Sequence, residues 1–135
     1  MCGIAGIFDN SGAIRESDLF NIGKQMVIQL THRGPDAGDV WLDQQSGLVL
    51  AHRRLSIIDL AGGAQPMVSS SGRYVLTYNG ELYNYRELRR ELARRGSTFR
   101  DASDTEVLLE ALIHWPVDKA LSKLVGMFAF ALWDR

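Results

Sequence analysis

Strand-like segments in this chain lie too close together for a parallel sheet. "VWLDQQSGLVLAHRRLSIIDL", residues 40 to 60, reads as two strands around a turn at Gln45 to Gly47. A parallel pair needs a crossover of about a dozen residues or more, so these two strands are antiparallel. Helical segments stand on both sides of them, which predicts a mixed α+β fold. At 135 residues with 46% hydrophobic content, the chain is expected to form one domain with a packed core.

The remaining elements follow from local patterns. Residues 2 to 8, "CGIAGIF", read as a strand closed by the turn-rich "DNSG". Gly3 and Gly6 weaken that strand, which points to a close backbone approach. Leu19, Ile22, Met26, Val27 and Leu30 recur at helical spacing. "THRGPDAGD" then breaks the pattern, and "AGGAQPMVSSSG" reads as a loop. "RYVLTYNG" alternates like a strand and ends in Asn79-Gly80. "NYRELRRELARRG" is a helix with Asn84 as N-cap, Glu87 three residues on and Gly96 at its end. "SDTEVLLEALIHW" repeats the capping-box pattern with Ser103 and Glu106, and Pro116 stops it. A short helix around Lys119 to Leu124 precedes "GMFAFALWD", apolar enough for a strand buried on both faces.

Charge and cysteine content narrow the function classes. A formal net charge of -1 offers no global attraction to nucleic acid or anionic lipid. The single cysteine makes neither an internal disulfide nor a thiolate metal cluster, so a reducing cytoplasm is the expected compartment. No stretch has the length and apolarity of a membrane span or the layout of a signal peptide. Arg86, Arg89, Arg90, Arg94 and Arg95 share one helix with Glu87 and Glu91, and read as a solvated face rather than an RNA patch.

Four places carry candidate chemistry. Cys2 is either a small buried hydrophobe or, once Met1 is removed, a nucleophile whose own α-amine serves as its base. Local chemistry by itself favours the buried thiol. Asn79-Gly80 is either a hairpin turn or a pair of donors aimed at a developing oxyanion. Arg53 or Arg54 could grip a carboxylate in a bidentate pair, or simply be solvated. Asp104, in the first turn of a helix, is either a helix-start acid or a partner for a ligand's ammonium group. His32, His52 and His114 lack a context that marks a base, and their spacing builds no metal site.

Taken in order, "MCGIAGIF", "HRGPD", "AHRRLSIIDL", "YNGELYNYREL", "SDTEVLLEAL" and "GMFAFALWD" resemble the glutaminase domain of glutamine-hydrolysing asparagine synthetases. That is a class II glutamine amidotransferase of the N-terminal-nucleophile hydrolase type. The resemblance spans almost the whole of residues 1 to 135 and implies a four-layer α/β/β/α sandwich. It implies Cys2 as nucleophile, with Asn79 and Gly80 forming the oxyanion hole. Arg54 would hold the α-carboxylate of glutamine, and Asp104, helped by Glu81, its α-ammonium. The glutaminase step implied in this way needs no cofactor or metal.

Those synthetases continue past "FALWD" with further strands and a domain that uses ATP and Mg. The chain shows no nucleotide-binding loop, so it is expected to be the N-terminal part of an amidotransferase domain, truncated at its C-terminal end. Its implied partners are glutamine, a synthetase domain or subunit that accepts ammonia, and a second copy in a homodimer through an exposed sheet edge. Neither nucleic acid nor membrane is expected. The competing expectation is a catalytically idle domain that binds glutamine or a protein partner.

Overall fold

The computed structural model describes residues 2–55 and 63–135. The "SIIDL" part of the second expected strand, residues 56 to 60, lies outside them. The first sheet has strand order β1-β3-β2, formed by β1 (Gly3–Phe8), β2 (Ala37–Asp43) and β3 (Leu48–Arg54). The second has order β4-β5-β6, formed by β4 (Met67–Val68), β5 (Tyr74–Leu82) and β6 (Gly126–Asp134). Every pairing is antiparallel; the short β2–β3 and β4–β5 connections require it, whereas β1–β3 and β5–β6 join strands far apart in the chain, whose direction the tertiary fold sets. Four helices stand among the described residues: α1 (Glu16–Gln29), α2 (Tyr85–Arg94), α3 (Asp104–His114) and α4 (Val117–Leu121). None of the helices is long and apolar enough to cross a membrane.

Side-chain alternation decides how the layers stack. On β3, Val49 packs beneath Gly23 of α1, and the Arg53 side chain lies beside Gly38 and Val27. The other face carries Leu48 and Leu50, which meet Val75 of β5 with Trp41, Val68 and Trp133 around them. The opposite face of β5 turns Leu76, Tyr78 and Leu82 toward Leu88 and Leu92 of α2 and Leu108, Leu109 and Leu112 of α3. The layers therefore run α1, sheet, sheet, α2 with α3, which is the expected α/β/β/α sandwich. Leu76, Leu82, Leu92, Leu108 and Leu109 are fully enclosed, each favouring the folded state by about 1.5–3 kcal/mol over an exposed side chain.

The small residues of β1 have a packing reason. A Cβ on Gly3 would come within 3.1 Å of the Leu30 Cβ, and one on Gly6 within 2.8 Å of the Val49 carbonyl oxygen. Larger residues would push β1 off its neighbours.

Several local expectations are corrected. Asn79-Gly80 is not a hairpin: β5 continues through it to Leu82, with Asn79 opposite Ala129 and Gly80 opposite Phe128. The long partner strand β6 supplies the ladder that keeps the dipeptide extended. Asn84 stands at the N-cap of α2 but makes no side-chain cap. Its amide donates to the Lys123 carbonyl at 2.9 Å and accepts from the Val125 N–H at 3.1 Å, tying α2 to the start of β6. In α3 only half of the capping box forms. Ser103 Oγ accepts from the Glu106 N–H, while the Glu106 carboxylate accepts from the N–H groups of Arg100 and Asp101.

The short helix lies a little earlier than expected, over Val117–Leu121. β6 is not buried on both faces. It lies at the margin of its sheet, and Met127, Ala129 and Ala131 are exposed while Phe128, Phe130 and Leu132 pack on the helical side. Gly96 behaves as expected: its φ of +99° ends α2, with the Ser97 N–H reaching back to the Leu92 carbonyl at 3.0 Å. The arginines of α2 divide between uses. Arg95 pairs with Glu91 at 3.2 Å, while the Arg89 guanidinium lies over Phe99 and donates to the Asp101 carbonyl at 2.7 Å.

Candidate active site

Six separate stretches of chain converge on one cavity of about 160 Å³. Cys2, Arg54, Asn79, Gly80, Glu81 and Asp104 all line it, so every residue singled out for the pocket is brought together. Cys2 immediately precedes β1, on the side of Ile4 that faces the second sheet. It is half-buried rather than enclosed. The Leu55 N–H donates to its Sγ at 3.4 Å, which places a backbone donor on the sulfur.

Asn79 and Gly80 owe their positions to the peptide just before them. The Tyr78 N–H donates to Gln65 Oε1 at 2.6 Å, and the Tyr78 carbonyl accepts from His52 Nε2 at 3.2 Å. Both polar groups of that peptide therefore point away from β6. The alternation of an antiparallel strand turns the Gly80 N–H the same way, toward the cavity. The Asn79 side-chain oxygen is buried and without a hydrogen-bond partner among the described residues. An unpaired buried acceptor of this kind is one that functional sites tolerate. A side chain at position 80 has no room, because its Cβ would lie 2.6 Å from the Phe128 Cα.

The neighbouring arginines are separated by the period of the strand. The Arg53 Nε donates to the Gly34 carbonyl at 2.7 Å, and its terminal nitrogen donates to the Pro35 carbonyl at 3.1 Å. It thus locks the "HRGPD" loop to β3. Arg54 faces the cavity, with its guanidinium beside Gly63. Both residues sit within β3 itself and not beyond its end.

Asp104 opens α3, where the helix N-terminus favours a carboxylate. The Tyr78 hydroxyl donates to its Oδ2 at 2.8 Å, and the Leu82 N–H donates to the same oxygen at 3.0 Å. Burial, and then the negative charge of Asp104, push the Tyr78 hydroxyl far above its ordinary range, so it remains a donor. Glu81 stands at the exposed side of the cavity.

Sequence reasoning set His52 aside as a base and gave Gln65 and Tyr78 no part in the site. His52 is 1% exposed, and burial pushes its imidazole down to about 4, aided by the nearby Arg54 charge. It is therefore neutral and carries its proton on Nε2, since the Tyr78 carbonyl can only accept. His32 is exposed and bonds the Gln29 carbonyl, while His114 ends α3 with its ring edge-on to Trp115. Neither lines the cavity. The sequence signal available for Gln65 was its place just before β4: the register pairing Met67 with Leu76 would next bring Gln65 opposite Tyr78.

Comparison with known proteins identifies the family. A family described as "Glutamine amidotransferase domain" matches residues 1–135. Asparagine synthetase [glutamine-hydrolyzing] 1 of Bacillus subtilis is 44% identical over 135 residues, covering 100% of this chain and 21% of that protein. Asparagine synthetase B [glutamine-hydrolyzing] of Escherichia coli is 40% identical, covering 99% of this chain and 23% of that protein. The chain thus spans about a fifth of the length of these curated relatives. Among solved structures, a B. subtilis glutamine phosphoribosylpyrophosphate amidotransferase complexed with ADP and GMP matches with a TM-score of 0.55. It is 28% identical, and the match covers 66% of this chain and 21% of that one.

Proposed function

The chain belongs to the glutamine amidotransferase domain family, and on that premise we propose that its cavity hydrolyses glutamine to glutamate and ammonia through a thioester on Cys2. The observation that carries this reading is the convergence of a thiol, two oxyanion donors, a guanidinium and two carboxylates on one small cavity. Arg54 holds the α-carboxylate of glutamine. Asp104, with Glu81 beside it, holds the α-ammonium. These two anchors direct the side-chain amide toward Cys2, and asparagine, one methylene shorter, would leave its amide short of the sulfur.

The steps balance with residues of this chain and one water. After Met1 is removed, the free α-amine of Cys2 takes the thiol proton and the sulfur attacks the amide carbon. The oxygen that gains charge is met by the Asn79 Nδ2 and the Gly80 N–H. The C–N bond then breaks as the ammonium of Cys2 returns the proton to the leaving nitrogen, releasing ammonia. Water attacks the thioester while the amine takes its proton, the C–S bond breaks, and glutamate leaves with the thiol restored. The reaction calls on no cofactor. The ammonia passes to an amidation of the asparagine-synthetase type, where ATP and Mg belong to the acceptor step.

An electrophilic glutamine analogue such as a diazo-ketone, followed by intact-mass and peptide analysis, tests the mechanism. Loss of the Met1 mass with one adduct on Cys2 is expected. Labelling that persists in Cys2→Ala, or glutamine hydrolysis by protein that keeps Met1, removes the mechanism. Glutamine binding without glutamate release identifies the idle binding domain instead.

A further inference from the structure

We propose that Tyr78 is a positioning residue that couples the two halves of the pocket, its hydroxyl setting Asp104 and its peptide setting Asn79 and Gly80. This inference rests on the glutaminase reading above. All three polar groups of Tyr78 are engaged, and each of the described bonds goes to a side chain. β4 begins only at Met67, opposite Leu76, so the ladder that would have served the Tyr78 backbone is missing on that side. Gln65 and His52, both buried, take its place.

These contacts form a closed frame. The Tyr78 N–H can only donate, so the Gln65 oxygen must face it, which turns the Gln65 nitrogen to the Thr105 hydroxyl at 3.2 Å. Thr105 follows Asp104 on α3, and Asp104 accepts from the Tyr78 hydroxyl. Two bridges therefore run from one residue of β5 to the first turn of α3. A third, from His52, ties the same residue to β3 and the first sheet. The Tyr78 hydroxyl and the Leu82 N–H both occupy Oδ2, which assigns Oδ1 of Asp104 to the ammonium group. A neutral His52 serves this frame better than a charged one: it adds no cation beside Arg54 and keeps its single proton on the Tyr78 carbonyl.

The test compares glutamine with glutaramate, which is glutamine without its α-amino group, in the protein at its full natural length. Tyr78→Phe removes one oxygen and keeps the ring in the core. It should raise KM for glutamine about tenfold, the weight of one charge-assisted hydrogen bond, with kcat and the hydrolysis of glutaramate within about threefold. His52→Leu should instead lower kcat, and His52→Gln, whose amide N–H can reach the same carbonyl, should recover most of it. The His52 pair decides the matter alone where Tyr78→Phe fails to melt cooperatively. Equal losses on glutamine and glutaramate in Tyr78→Phe, or a His52→Gln as slow as His52→Leu at native melting temperature, overturns the inference. If the unaltered protein turns over no glutamine, the glutaminase reading falls and this inference falls with it.

Discussion

Acid should destabilise this fold through His52, and the size of the effect follows from its burial. An unfolded histidine titrates near 6.5, whereas the folded imidazole, 1% exposed and beside Arg54, titrates at about 4. Between those values the unfolded chain holds one proton more than the folded one, so stability falls as pH falls. Above pH 6.5 both states are neutral and nothing is lost. Each pH unit between the two values costs up to about 1.36 kcal/mol, giving about 3 kcal/mol in all by pH 4. That is a large share of the roughly 5–15 kcal/mol typical of a domain. Urea unfolding followed by tryptophan fluorescence at pH 7.5, 6.0, 5.0 and 4.5 measures it. His52→Gln cannot take up the proton, so its stability should fall less steeply, narrowing the gap from the unaltered protein by about 2–3 kcal/mol at pH 4.5. Parallel curves for the two proteins would refute a neutral, buried His52.

The remaining predictions separate packing from binding. Arg53→Ala should lower stability by about 1 kcal/mol by releasing the Gly34 and Pro35 carbonyls, with glutamine affinity unchanged; Arg54→Ala should weaken glutamine binding by about 1.5–3 kcal/mol. Calorimetric titration and urea melts of both variants check the contrast. Asn79→Ala should lower kcat by about 10²–10³-fold with KM little changed, as read from glutamate release at saturating glutamine. Gly80→Ala forces a Cβ against the backbone of β6 and should cost about 1–3 kcal/mol together with the activity, measured by thermal melting and the same assay.

Local chemistry made much of the molecule readable before any tertiary contact was known. The helix start at Ser103, the stop at Gly96 and the turn between Asp43 and Leu48 depend on residues a few positions apart. The strand period likewise put Cys2 on the side of β1 opposite Gly3. Asn79-Gly80 shows where such reading fails, since a dipeptide with strong turn chemistry stays extended when a nine-residue partner strand pairs along it. Glu106 shows the same: its carboxylate found two N–H groups outside the helix and left the capping box half made.

Sequence alone determined which chemical groups are available: a thiol beside a prospective terminal amine, an amide next to a residue without a Cβ, a pair of arginines, and an acid at a helix start. It also determined the antiparallel pairing of β2 with β3, because that connection is too short for anything else. Residue chemistry left Arg53 and Arg54 open and the family resemblance pointed to Arg54; the tertiary structure supplies the physical reason, since strand parity has meaning only once α1 covers one face of β3. It alone recruited His52, Gln65 and Tyr78, whose hydrogen bonds join residues 13 to 40 positions apart in the chain. Such contacts depend on where the two sheets and α3 come to rest, which no local pattern records.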